Sequence, residues 1–146
     1  MTHLVAFDGT ALSEAALRRA KRFERQNDER LVAVSVLPTD DVLAEEYGLV
    51  DGDEYDPEAA AGRLRDSATD IAPGAEFRAE SIDAYAGRRQ VATKIRRAAR
   101  DEDATLVFIG SDDAGRVVKP VSSVGSAVAG TPDYDVFIVR STSVEE

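Results

Sequence analysis

Apolar positions along the chain switch between short continuous runs and helical stripes. His3–Phe7 is a continuous apolar run and predicts a strand buried on both faces. Asp8-Gly9-Thr10 is a turn signal. From Leu12 the spacing becomes helical, with Leu12, Ala15, Ala16, Ala20 and Phe23 on one stripe. Arg18, Arg19, Arg22 and Arg25 fall off that stripe, toward water. Thr10 and Ser13 are both candidates for the N-cap. Leu31–Leu37 predicts a second strand, stopped by Pro38. Asp56-Pro57-Glu58 is a helix start, with an Asp cap, proline at the first position and an acid near the positive dipole end. Ala60, Ala61, Leu64, Ala68 and Ile71 form its stripe, and Pro73-Gly74 ends it. Ala75–Ser81 alternates weakly and reads as an edge strand. Residues 87–101 form a third helix, with Val91, Ala92, Ile95, Ala98 and Ala99 inward. Thr105–Ile109 is a buried strand, 122–130 a short helix of small residues, and Val136–Val139 a last strand.

Strands thus alternate with helices from end to end. That order predicts an α/β fold: an open, parallel, five-stranded sheet with helices on both faces and right-handed crossovers. No repeat and no linker divides the chain, so residues 1–146 read as one domain. Residues 39–56 interrupt the alternation. They hold eight acids and no base, with room for one helical turn near Val42–Tyr47, and read as a solvated acidic insertion.

Composition narrows the function classes. There are 28 Asp and Glu against 18 Lys and Arg, a net charge of −10. The resulting field argues against nucleic acid and anionic membranes as partners. No cysteine is present, which excludes disulfide scaffolds and thiolate metal sites. The 18 bases comprise fifteen arginines and three lysines. Acid excess with few lysines suggests a cytoplasm adapted to molar salt, where screening makes such a surface inexpensive. No stretch reaches the length of a membrane span, and the first ten residues lack a signal-peptide pattern. A cytoplasmic location is expected.

Ligands of open parallel sheets bind at the carboxyl ends of the strands. Those ends are Asp8-Gly9-Thr10, Val36-Leu37-Pro38 and the stretch Gly110–Ser126. The last is rich in glycine and serine ahead of a helix, which suits a phosphate cradle of backbone N–H groups. Arg116 and Lys119 could add positive charge. It is not a Walker A loop, and the first turn lacks GxGxxG. Asp8 is equally readable as a cap or turn residue and as a ligand contact. His3, the single histidine, stands at the opposite end of its strand and suits neither catalysis nor metal binding. No nucleophile–base pair is visible, and a weak ATPase is the most that Asp112-Asp113 suggests.

Three stretches together resemble the universal stress protein family. They are Leu4–Leu17, Thr105–Ser111, and Ser122–Val128 leading into Asp135–Arg140, and the type resembled is haloarchaeal. The resemblance implies strand order 3-2-1-4-5, a cytoplasmic homodimer through the last strand, and stress-linked expression. In one branch it implies binding of ATP with Mg2+, at Asp8, the Val36 backbone, Gly110, Ser111, Gly115, Ser122 and Ser123. That branch carries Gly, two residues, Gly, nine residues, then Gly-Ser or Gly-Thr. Here Asp113 replaces the second glycine. Two registers fit the remainder. One puts Ser122-Ser123 in place of Gly-Ser, and is preferred because it needs fewer changes. The other runs from Gly115 to Gly125-Ser126. In the first, Asp112 and Asp113 fall beside the phosphates and repel them unless Mg2+ or K+ bridges or the side chains turn out to solvent. A dimeric stress-related interaction protein without nucleotide is the alternative.

Overall fold

The computed structural model describes residues 1–27, 30–38, 56–82, 88–110 and 134–142. In chain order these form β1 (Thr2–Ala6), α1 (Ala11–Asn27), β2 (Arg30–Pro38), α2 (Pro57–Ile71), β3 (Glu76–Ile82), α3 (Arg88–Asp101), β4 (Ala104–Gly110) and β5 (Asp135–Val139). Residues 39–55 of the predicted insertion and the short helix at 122–130 lie outside the described residues, while Asp56 belongs to the start of α2. The sheet has the expected order, β3-β2-β1-β4-β5, and every pairing is parallel.

Pleat alternation sorts the side chains onto two faces. Val5, Phe7, Leu31, Ala33, Phe108 and Val139 point to one face, where α1 and α2 pack. Leu4, Val32, Val34, Val107 and Ile109 point to the other, beneath α3. The contact stripe of α1 is built from small residues. Ala15, Ala16 and Ala20 are fully buried, which lets the helix lie close to the strands. One expectation on α1 changes. Arg19 is half-buried, and its guanidinium lies 5.7 Å from the centre of the Phe137 ring. His3 is buried beside Phe23 and Phe108, as part of an aromatic cluster.

The start of α2 follows its sequence signal. Asp56 has extended backbone angles, its carboxylate accepts from Glu58 N at 3.0 Å, and Pro57 opens the helix. The end of α3 is closed by Asp103, in the left-handed region at φ 54°, whose N–H donates to Arg100 O at 3.2 Å.

The two sheet edges differ. β3 is bordered by charge: Arg78 pairs with Glu80 and Asp101, and Arg30 with Glu76 and Glu102. Charged residues on an edge discourage pairing with another chain. On β5, Val136, Phe137 and Ile138 are each half-buried. One register shift occurs. Thr2 pairs with Ala104 but His3 with Leu106, so Thr105 is an extra residue in β4.

Candidate functional site

The β1–α1 turn is organised by three side chains. Asp8 Oδ1 accepts from Thr10 N at 3.0 Å and from Thr10 Oγ1 at 2.5 Å. Thr10 Oγ1 in turn accepts from Ser13 N at 3.3 Å, so Thr10 is the N-cap of α1. Ser13 occupies the third helical position. Its hydroxyl donates to Thr10 O at 3.0 Å and accepts from Asp8 N at 3.2 Å. Gly9 takes φ 80°, the left-handed angle that this tight turn requires.

The turn is also tied to the sheet. Phe7 N donates to Val34 O at 2.8 Å, and the buried Ser35 hydroxyl donates to Phe7 O at 2.6 Å. Ser35 therefore fixes the last peptide before Asp8. Gly110, at the end of β4, meets the same turn from the other side. A Cβ there would collide with the Leu12 carbonyl group and sit 2.9 Å from Ser13 N.

Between these elements lies a cleft of about 170 Å³. Asp8 and Gly110 stand at its rim. Val34, Val36, Val91 and Ile109 are among the residues that give it an apolar floor. The volume is below the roughly 300–1,000 Å³ of pockets that enclose a drug-sized ligand. Its described walls therefore suit one flat end of a larger molecule.

The polar chemistry of the rim is one-sided. The N–H groups of Asp8, Thr10 and Ser13 are all taken by side-chain oxygens within the turn. The turn thus withholds these three donors from an anion. It presents the Asp8 carboxylate, an acceptor, to a hydroxyl, an amine or a cation.

Of the seven expected site residues, the structure brings Asp8, Val36 and Gly110 to this cleft. Ser111, Gly115, Ser122 and Ser123 lie outside the described residues. Both readings of Asp8 have a place in the structure, since it holds the cap and also lines the cleft. Val91 and Ile95 of α3 line the cleft too, although their periodicity marks them only as core positions. The available signal is their place at the start of the α3 stripe, where Val91 packs beside Val36 and Ile82 at the ends of β2 and β3.

The family model described as the universal stress protein family matches residues 1–140. The chain belongs to the universal stress protein family. Among solved relatives, a universal stress protein in complex with cAMP is 18% identical, covers 96% of each chain and superposes with a TM-score of 0.62. The universal stress protein from Archaeoglobus fulgidus in complex with dAMP is 20% identical over 96% of this chain and 98% of its own, with a TM-score of 0.55. Universal stress protein UspA from Lactobacillus plantarum is 19% identical over 96% and 97%, with a TM-score of 0.62. At these identities the likeness is one of fold. No curated protein matches this family member significantly in sequence. Among its described residues, no helix is long and apolar enough to cross a membrane.

Proposed function

We propose that this chain is a nucleotide-responsive regulator, a cytoplasmic homodimer that binds ATP or a related adenine nucleotide across the carboxyl ends of β1, β2 and β4. One observation carries the reading: Asp8, Val36 and Gly110, distant in sequence, line a single cleft with an apolar floor. Relatives of the same fold have been solved in complex with cAMP and with dAMP. The cleft suits the nucleoside end. Its floor accepts a flat ring, and Asp8 accepts from a ribose hydroxyl or an amine. The phosphates, with Mg2+, would fall to Ser111, Gly115, Ser122 and Ser123.

Isothermal titration of the full chain with Mg-ATP in molar KCl tests this. We expect saturable heat at millimolar ligand or below, and at least about tenfold weaker binding in Asp8→Ala. No heat from the parent protein overturns the proposal.

The homodimer is proposed through β5. Its half-buried apolar edge contrasts with the charged edge at β3. A monomeric sedimentation profile in high salt would remove it. A second reading, a dimeric interaction protein without nucleotide, is favoured by Asp113 standing where the ATP-binding motif has glycine. Adenine nucleotide released from protein purified out of its native host would contradict that reading.

A further inference from the structure

A second groove lies at the other end of the sheet. It measures about 530 Å³, and Arg96, Arg100, Asp103, Thr105 and Tyr134 contribute to its walls. Thr105 lies near the start of β4, five residues before Gly110 at its end, so at a rise of about 3.3 Å per residue this groove is some 16 Å from the Asp8 cleft. Nothing about it depends on nucleotide binding.

Its charge stands out against the rest of the molecule. The chain has ten more acids than bases, so an arginine without a carboxylate is unexpected. Nearby carboxylates go elsewhere: Glu76, Glu80, Asp101 and Glu102 pair with Arg30 and Arg78. Among the described residues, Arg96 bonds to Thr93 Oγ1 at 3.3 Å, and neither Arg96, Arg97 nor Arg100 forms an ion pair. The helix dipole favours a cation in the last turn. It does not call for two guanidiniums, one turn apart, on the wall of one concavity beside a phenol and a hydroxyl.

Asp103 limits what can enter. The left-handed turn that closes α3 holds it at the groove. There its carboxylate repels a plain anion and accepts from a hydroxyl or ammonium group. The volume falls within the roughly 300–1,000 Å³ range of small-molecule sites.

We propose that this groove binds a small organic anion that also carries a hydrogen-bond donor, of the class of phosphorylated or carboxylated polyols and hydroxy acids. Arg96 and Arg100 grip the anionic group through paired N–H donors. Asp103 takes the donor, and Tyr134 contributes its ring to the lining.

Amide-shift titration of the isotope-labelled full chain tests the proposal, with glycerol 3-phosphate, malate and sulfate as probes. Saturable shifts across residues 96–105 and 134 are expected with at least one of the two organic anions. A response to glycerol 3-phosphate alone assigns the site to phosphate esters, and to malate alone to carboxylates. Arg100→Ala should weaken binding at least about tenfold. Arg97→Ala removes the same charge from the same helix without touching the lining, and should change affinity less than about twofold. Arg100 is exposed, so its replacement leaves the core intact, and far-UV circular dichroism checks this. Absence of saturable shifts in this region overturns the proposal. So does equal weakening by both variants, or sulfate binding as tightly as the organic anions.

Discussion

Replacing Gly110 by alanine should destabilise the protein in the absence of any ligand. The glycine has no left-handed φ, so conformational freedom is not what it supplies. It supplies space. The added Cβ would overlap the Leu12 carbonyl group and lie 2.9 Å from Ser13 N, both backbone atoms of the first turn of α1. A normal contact needs about 3.5–4.0 Å, so the helix start must retreat by roughly 1 Å. Ala15 and Ala16, fully buried against the sheet, resist that retreat. Overpacking of this kind costs about 1–3 kcal/mol. Disturbing the Asp8–Thr10 cap adds about 1 kcal/mol. The total is about 2–4 kcal/mol. With a urea dependence of about 2 kcal/mol per molar, the midpoint should fall by about 1–2 M at constant KCl. Fluorescence and circular dichroism should report the same transition. A midpoint within about 0.3 M of the parent would refute the packing argument and leave ligand access as the reason for glycine.

Three further outcomes follow from the structure. Ser35→Ala removes a buried hydrogen bond to Phe7 O and should cost about 1–2 kcal/mol by urea denaturation, with Ser35→Thr recovering part of it. Asp103→Gly relieves a left-handed residue and should raise stability by about 0.5–1 kcal/mol, read as a higher urea midpoint. The hydrogen bond from Arg30 holds the Glu76 carboxyl below its usual range. Its contribution is therefore present above the unfolded carboxylate range and is lost as pH falls through the lower folded value. Glu76→Gln should make acid unfolding shallower than in the parent. The difference should shrink in molar salt, because both side chains are about half exposed to solvent.

The fold was legible because its signals are local. Short, valine-rich continuous runs such as Leu31–Leu37, stopped by proline, favour strands covered on both sides, and the α3 stripe has helical spacing. Even the weak alternation of β3 was informative, since an edge strand needs only one good face. Boundaries moved for physical reasons. Phe7 still donates to β2 but lies past the end of β1, and Pro38 can close β2 because the last position can do without an N–H. The cleft was legible at Asp8, Val36 and Gly110, where strand ends meet turn residues. It was not legible at Ser13 and Ser35. Each spends its hydroxyl on a backbone atom, and Ser35 on one 28 residues away. The Ser35 partner leaves no signal in spacing; Thr10 O, three residues before Ser13, is within local reach, but Ser13 reads in the sequence only as a cap candidate. The placement of Arg19 has no local signal either: its ring partner, Phe137, comes from the far end of the chain.

The extra residue at Thr105 has a consequence for how this chain can change over generations. Ala104 and Leu106 pack on opposite faces although they are two apart, because Thr105 takes up the missing step. Loss of Thr105 would give an uninterrupted ladder, with Ala104 and Leu106 already on the faces that ladder requires. The start of β4 can therefore lose one residue without shifting Phe108, Ile109 or Gly110. Length variation among descendants is best tolerated at that point, where it remodels the arginine-lined groove and leaves the Asp8 cleft in place.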